Sequence, residues 1–266
     1  MAQDEFRYTG QKLRLDEVAT TPPEELDDRG TKARTEALTA KLVDLQDRFY
    51  ADGRHKLLVV IQATDTGGKD GTIRRVLGPM NPHGVRVVAF KTPTSKELAH
   101  DYLWRVHHEL PALGELVVFN RSHYEDVLIV RVHDLVPAER WKRRYDHIVN
   151  FERMLVDEGT TIVKFFLHIS KEEQRERLQA RLDDPTKRWK FSEGDLTERR
   201  SWDAYQAAYE DMVGRTATPG APWHVIPADS KWYRDFLVAS ALVETLESLD
   251  LAYPVGPANP ESIVID

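Results

Sequence analysis

The sequence predicts an α/β protein with a doubly wound, mainly five-stranded parallel sheet. Five apolar segments, several of them rich in β-branched residues, alternate along the chain with longer segments whose apolar residues recur every three to four positions. Continuous apolar runs are typical of strands covered on both faces, and their alternation with helices indicates parallel connections. A glycine-rich segment after the first run and a basic segment between two later helices predict where the chemistry of this sheet lies.

Composition narrows the classes of function. The chain has 266 residues, no cysteine, and 37 Lys and Arg against 44 Asp and Glu, a net charge of −7. This length suits one domain, the missing cysteines exclude disulfides and thiolate zinc sites, and the acidic balance argues against a protein that coats nucleic acid. No apolar stretch is long enough to span a membrane, and the N-terminus lacks the apolar centre of a signal peptide. We therefore expect a cytoplasmic protein without nucleic-acid or membrane partners.

The spacing of apolar residues and the positions of Pro and Gly predict the first elements. Residues 1–33 are polar, contain Pro22-Pro23 and show no sustained period, which predicts an extended N-terminal arm. Apolar residues from Leu38 to Phe49 are three to four positions apart and Gly53 follows, which predicts a helix over residues 35–50. Five consecutive apolar residues then predict the first strand at 57–61.

The alternation continues to residue 253, and we assign residues 34–253 to one domain with a tail at 254–266. Later strands are predicted at 85–90, 116–119, 161–169 and 223–226. Helices are predicted at 72–77, 96–108, 138–158, 171–182, 196–213 and 232–249. The basic run at 140–144 is either a solvated helix face or a local basic site, and its position in the fold decides between the two.

The segment after the first strand has the features of a phosphate-binding loop. Such a loop needs glycines that turn backbone N–H groups inward, a lysine for the outer phosphates and a helix N-terminus behind them. The usual pattern G-x-x-x-x-G-K-[ST] is broken at Ala63 and at Asp70, so an ordinary glycine turn is the alternative. The context between a strand and a helix favours phosphate binding by Thr66, Gly67, Gly68, Lys69, Asp70 and Gly71.

Asp65 is unusual in this loop, because a carboxylate would repel a phosphate unless a cation lay between them. It therefore suggests Mg²⁺ as a cofactor. The alternative is an Asx turn in which the side chain closes the loop on its own backbone.

The third strand ends abruptly in polar residues, at the edge where open α/β sheets place their sites. Asn120 stands where ATP-using proteins of such folds commonly have a magnesium-binding Asp, so Asp65 and Glu125 become the expected metal ligands. Arg121 is expected to clamp a phosphoryl group, with a structural ion pair as the alternative. His123 is expected to be a hydrogen-bonding packing residue rather than a base.

The basic segment at about residues 182–195 is predicted to be a lid. A mobile segment that brings cations over the phosphate loop would neutralise charge during phosphoryl transfer and exclude water. A solvated loop is the alternative. The candidate cations here are Arg181, Lys187, Arg188 and Lys190.

These three segments together resemble the polyphosphate kinase 2 family, P-loop enzymes that pass phosphoryl groups between inorganic polyphosphate and nucleotides. The resemblance rests on residues 63–71, 119–126 and 181–191, and extends from about Lys12 to Tyr253. It implies a P-loop kinase-like fold with a helical lid. Because family members form dimers or tetramers, it also implies a homodimer or homotetramer.

The resemblance also implies roles for individual residues. Asp65 and Lys69 match the family's loop Asp and Lys, and Asn120 with Arg121 matches its Asp/Asn-Arg pair. The lid cations of the family are matched by Arg181, Lys187 and Lys190. Asn120 together with Glu125 resembles the class III subgroup, whose members phosphorylate both AMP and ADP.

From these residues and this resemblance we expect a magnesium-dependent enzyme that transfers the terminal phosphoryl of polyphosphate to AMP or ADP, reversibly, making ADP and ATP. Its expected catalytic residues are Asp65, Lys69 and Arg121. No protein base is required, because the attacking phosphate is already anionic. The alternatives are an ATP-dependent nucleoside monophosphate kinase and a catalytically silent nucleotide-binding module, although a silent module has no need of these cations.

Overall fold

Six strands form one sheet in the computed structural model, which describes residues 4–265. They are β1 Arg7–Tyr8, β2 Lys56–Ala63, β3 Val85–Ala89, β4 Leu116–Asn120, β5 Thr160–His168 and β6 Trp223–Pro227. Their order across the sheet is β1-β6-β5-β2-β4-β3. Strands β2 to β6 are parallel, which confirms the predicted fold class and all five predicted strands. The carboxyl ends of these strands therefore meet at one edge.

The helices among residues 4–265 lie on both faces of the sheet. They are α1 Asp28–Asp52, α2 Lys69–Thr72, α3 Ser95–Leu98, α4 Trp104–His107, α5 Ile129–Val132, α6 Ala138–Asp157, α7 Lys171–Asp183, α8 Glu193–Arg200, α9 Trp202–Thr216 and α10 Lys231–Glu247. A five-residue π-helix, Ile73–Leu77, continues α2. Among the same residues, no helix is both long enough and apolar enough to cross a membrane.

Two apolar cores cover the two faces of the sheet. Alternate residues of β2 serve both: Val59 packs with α1 and α10 on one face, and Val60 packs with α6 and α9 on the other. This alternation follows from the two-residue period of a strand. A strand buried on both faces has to be apolar throughout, which is why the strand at 57–61 could be predicted from the sequence.

The N-terminal arm has more regular structure than the sequence suggested. Residues Arg7 and Tyr8 pair antiparallel with β6, so the sheet has a sixth strand that was not predicted. The helix predicted from residue 35 begins at Asp28, because the Asp27 side chain caps it by accepting hydrogen bonds from Arg29 N and Gly30 N. The domain limits at residues 33 and 253 stay predictions.

Two predicted helices are each divided in the structure. The segment 96–108 forms two short helices, α3 and α4, because the Asp101 side chain accepts a hydrogen bond from Leu103 N and starts a new turn. The segment 196–213 is part of α8 and α9, which meet at Ser201, and α8 begins earlier than predicted because Ser192 and Asp195 form a capping box.

Candidate active site

The loop between β2 and α2 turns back on itself at the carboxyl edge of the sheet. Gly67 N donates to Thr64 O at 3.0 Å, and Gly68 adopts φ 103 as the residue before α2. A Cβ on Gly67 would lie 2.5 Å from Ala63 Cβ, which explains the glycine there. Thr66 has φ 64, an uncommon conformation for a residue with a side chain. The loop therefore has the local geometry expected of a phosphate cradle.

Lys69 is the first residue of α2, and its ammonium group folds back along the loop. Nζ donates to Ala63 O at 3.1 Å. Burial lowers the pKa of Lys69, and the Arg121 guanidinium lowers it further, while the carboxylates of Asp65 and Glu125 act in the opposite direction. An incompletely solvated ammonium gains strongly from an added phosphate anion. Lys69 is therefore well placed to bind a phosphoryl group.

Residues at the end of β4 contact the loop directly. Asn120 Nδ2 donates to Asp70 Oδ1 at 2.8 Å, and Arg121 Nη2 donates to Asp65 Oδ1 at 2.8 Å. Arg121 has φ 64, and its backbone N–H donates to Ile61 O at 3.2 Å, which fixes this strained residue against β2. From the sequence, a phosphate contact and a structural ion pair were the alternatives for Arg121. The structure contains the ion pair, and Arg121 also lines the cleft described next.

An open cleft of about 720 Å³ gathers most of the predicted phosphate-binding residues. Its floor is the loop, one wall is the end of β4, and the lid of residues 182–195 lies along another side. Predicted residues that line it are Asp65, Thr66, Gly67, Gly68, Lys69, Asp70, Gly71, Asn120, Arg121, Arg181, Lys187 and Lys190. Three segments far apart in the sequence, namely the loop, the end of β4 and the lid with the end of α7, thus contribute cations to one cleft.

Arg188 is the lid residue that the structure does not bring to this cleft. Its Nε donates to Leu182 O at 2.7 Å, so its guanidinium closes the lid's own turn. Arg181 also braces the lid, through Asp195 at 3.4 Å, but still lines the cleft. Lys187 forms an exposed ion pair with Asp184 at 2.5 Å, which a bound polyanion can replace at little cost.

Glu125 lies beside the cleft rather than in it. Burial raises the pKa of Glu125, although Arg121 and Lys69 oppose the shift, and the Gln62 amide, with its nitrogen toward the carboxylate, donates to Oε1 at 3.1 Å. Glu125 and Asp65 both line a smaller cavity of about 170 Å³. The two carboxylates that the sequence suggested as metal ligands therefore share one cavity.

The donor chemistry of this cavity fits Mg²⁺. Carboxylate oxygens of Asp65 and Glu125 are the hard ligands that this ion prefers, and the buried hydroxyl of Thr64, which also lines the cavity, has no hydrogen-bond partner within residues 4–265. Within residues 4–265 there is no cluster of three or more His, Asp or Glu side chains able to hold a metal. This agrees with the usual binding of Mg²⁺ through one or two carboxylates, substrate phosphates and water.

A second, larger cavity of about 990 Å³ adjoins the cleft and has a more apolar lining. Both are lined by Phe90, Lys91, Thr92 and Arg121. Three arginines of the run at 140–144 line this cavity, which favours a local basic site there: Arg140, Arg143 and Arg144. Arg140 and Arg143 are also exposed to solvent, whereas Arg144 is partly buried and pairs with Asp126 at 2.9 Å.

A buried charged cluster anchors the segment that follows Arg121. Lys164 Nζ donates to Glu152 Oε2 at 2.5 Å and to the Tyr124 hydroxyl at 2.9 Å, and His123 Nε2 lies 3.3 Å from Glu152 Oε1. Burial alone would raise the pKa of Glu152, but Lys164 and His123 outweigh it and lower this pKa. His123 is thus a buried hydrogen-bonding residue, as expected. The cluster fixes the backbone between Arg121 and Glu125.

Sequence reasoning missed the residues that hold the loop from behind. Arg177 Nη1 donates to Thr66 O at 3.0 Å, and Gln174 Nε2 donates to Asp65 O at 3.2 Å. Arg234 reaches Gly68 from α10. Arg177 stands one helical turn before Arg181, a spacing that could have suggested a shared direction. The sequence carries no comparable signal for Arg234.

Comparisons with known proteins agree with this geometry. A family model described as polyphosphate kinase 2 (PPK2) matches residues 25–253. The AMP/ADP-polyphosphate phosphotransferase of Meiothermus ruber is 61% identical over 240 residues, covering 89% of this chain and 90% of that protein. The ADP-polyphosphate phosphotransferase of Rhodopseudomonas palustris is 48% identical over 226 residues, covering 80% and 78%. The crystal structure of polyphosphate kinase 2 from Arthrobacter aurescens TC1 has a TM-score of 0.90 at 45% identity, covering 94% of this chain and 90% of that one.

Proposed function

The chain belongs to the polyphosphate kinase 2 family, and we propose that it transfers the terminal phosphoryl group of inorganic polyphosphate to AMP and ADP. The observation that carries this proposal is the convergence of Lys69, Arg121 and the lid cations on one cleft above the phosphate loop. A long polyanion needs several cations in a row, and this cleft supplies them from the loop, from β4 and from the lid. The products are ADP and ATP.

The adjoining cavities suggest how the two substrates meet. We assign the donor phosphates to the cation-lined cleft, and the acceptor nucleotide to the 990 Å³ cavity, whose volume and apolar lining suit a nucleoside. Arg121 lines both, so its guanidinium can contact the transferring phosphoryl group between them. Its pairing with Asp65 holds it in that position.

The reaction itself needs no protein base. An oxygen of the AMP or ADP terminal phosphate attacks the terminal phosphorus of polyphosphate, the new P–O bond forms, and the phosphoanhydride bond to the rest of the donor breaks. The shortened polyphosphate leaves with the bonding electrons on its oxygen. Because one phosphoanhydride replaces another, the reverse transfer is accessible. The protein contributes in-line positioning and charge neutralisation through Lys69, Arg121, Lys187 and Lys190.

Asp65 and Glu125 are the residues that we propose to hold Mg²⁺, since both line the same cavity next to the loop. A bound magnesium ion would supply further neutralisation of phosphate charge. A cytoplasmic location and a homodimeric or homotetrameric assembly stay predictions of the sequence.

A donor assay tests the proposal. Purified protein with AMP is given either polyphosphate or ATP, and the nucleotides formed are separated and quantified. We expect ADP and then ATP from polyphosphate, at a rate well above the AMP-dependent consumption of ATP. Faster transfer from ATP than from polyphosphate would indicate a nucleoside monophosphate kinase. No transfer from either donor would indicate a silent nucleotide-binding module.

A further inference from the structure

A second group of cations lies behind the phosphate loop, outside the cleft that contains Lys69. Arg234 of α10 approaches Gly68 so closely that a Cβ on this glycine would lie 2.1 Å from Nη1. The same Cβ would lie 3.5 Å from Nη1 of Arg177. Arg75, on the π-helix after α2, and Lys231, the first residue of α10, are both exposed next to them. Three elements therefore bring four cations into one cluster, and two of its members, Arg177 and Arg234, adjoin Gly68.

These four cations interact with one another. Partial desolvation of its ammonium group lowers the pKa of Lys231, and the charges of Arg177, Arg234 and Arg75 lower it further against the opposing charge of Glu173. Burial likewise lowers the pKa of Arg234, with Arg177 and Arg75 again contributing. Keeping like charges this close costs free energy in the absence of an anion. The fold maintains the arrangement nonetheless.

Two carboxylates face this group, and neither balances it fully. Glu173 pairs with Arg177 at 2.6 Å. Asp235 accepts from Nε and Nη2 of Arg234, and its other oxygen, Oδ2, lies 3.9 Å from Arg75 Nε. Four positive charges thus face two negative ones.

Arg234 has an unused donor at this place. Its side chain is 98% buried and its Nη1 donates no hydrogen bond to any residue in the range 4–265. Within the described residues, Nη1 is not one of the fully buried polar atoms that lack a hydrogen-bond partner, so it remains open to solvent and can donate to an acceptor that arrives from there. Nη1 lies against Gly68, at the surface of the phosphate loop, so a phosphate oxygen outside the loop is an acceptor within its reach.

We propose that Arg75, Lys231 and Arg234 form a second phosphate subsite, which binds donor phosphates remote from the one that is transferred. The inference rests on the proposed function and extends it, because only a donor with a long run of phosphates could occupy the cleft and this subsite together. A nucleotide is a poorer candidate, since the apolar cavity that suits a nucleoside is lined by none of these three cations. The subsite would make binding of the donor depend on its chain length.

The test compares long and short donors in a variant without the two exposed cations. In R75Q/K231Q we expect the KM for long-chain polyphosphate to rise about 3- to 10-fold, the effect of losing two surface charge contacts to a polyanion. The KM of tripolyphosphate, or its Ki as a competitor where it is a poor donor, should change less than about 2-fold, because a short chain fills only the cleft. The kcat at saturating donor should be unchanged.

The matched control is R74Q/R153Q, which removes two exposed arginines that take no part in the cluster. It should leave both constants near the wild-type values, and unchanged melting temperatures would show that both variants fold. Equal increases for long and short donors, no increase for either, or the same increase in the control would overturn the subsite. A failure of the proposed function itself would be visible separately, as wild-type protein that makes no ADP from polyphosphate and AMP.

Discussion

Replacing Lys69 with alanine should remove the main phosphoryl contact of the loop while leaving the fold intact. In the structure, the Lys69 ammonium makes one hydrogen bond to protein, to Ala63 O at 3.1 Å, and burial lowers its pKa. The side chain therefore contributes little to stability. We expect the melting temperature of Lys69→Ala to stay close to that of the wild type.

The expected loss of activity follows from the same contacts. Removing one positioned electrostatic contact to a transition state typically lowers kcat by about 10²- to 10³-fold, or about 2.7 to 4 kcal/mol. Asp65 and Glu125 stay next to the vacated position and repel the incoming phosphates, so the effect should not fall below the lower limit. We therefore expect a loss of at least about 10²-fold in kcat.

The assay is the initial rate of ADP formation from polyphosphate and AMP, with both substrates varied so that kcat and KM are obtained separately. Lys171→Ala, which removes an exposed lysine at the start of α7, is the matched control and should have wild-type rates. Folded Lys69→Ala protein that retained more than about half of the wild-type activity would refute the assignment of the phosphate loop.

Three further predictions concern the metal, the lid and the pH dependence of stability. Asp65→Asn keeps the shape of the side chain and removes its charge, so the Mg²⁺ concentration for half-maximal rate should rise. An unchanged dependence of the rate on Mg²⁺ would assign Asp65 to loop structure and leave Glu125 as the main ligand. Salt should raise the KM for long polyphosphate more than the KM for AMP. Replacing Lys187 and Lys190 with Gln should reduce the salt dependence of the polyphosphate KM and leave that of the AMP KM unchanged. Equal salt dependences for the two substrates would make the lid a solvated loop. Burial lowers the pKa of His224 to about 4, so the unfolded state binds a proton first as the pH falls from about 6.5. His224 should therefore lower the free energy of unfolding by about 3 kcal/mol at pH 4 relative to pH 7. Urea unfolding of His224→Leu should lack this loss. Identical pH profiles of stability for the variant and the wild type would contradict the prediction.

The sequence predicted the five parallel strands because a strand buried on both faces leaves a continuous apolar run. Val59 and Val60 face different cores, yet they are neighbours in one readable segment. The two-residue strand β1 could not be predicted in this way, because pairing with β6 on one side requires no apolar run. The break between α3 and α4 depends on one side-chain hydrogen bond of Asp101, which a helical period does not reveal.

The candidate site was predictable where its residues belong to short motifs and unpredictable where they meet by folding. Lys69 and Arg121 follow predicted strands, and the parallel topology brings the ends of those strands together. The contact of Arg234 with Gly68 joins residues 166 positions apart, and nothing in the local sequence encodes it. The sequence left the role of the cations at 140–144 open for a related reason, since it gives a helix face but not what that face packs against.

The origin of the transferred phosphorus tests the central claim most directly. Polyphosphate labelled with radioactive phosphorus is incubated with unlabelled AMP, without ATP, and the phosphates of the purified ADP are separated. We predict that the label appears in the β-phosphate of ADP, in an amount that matches the ADP formed. ADP that carries no label, or label released only as orthophosphate, would contradict direct transfer from polyphosphate to the nucleotide.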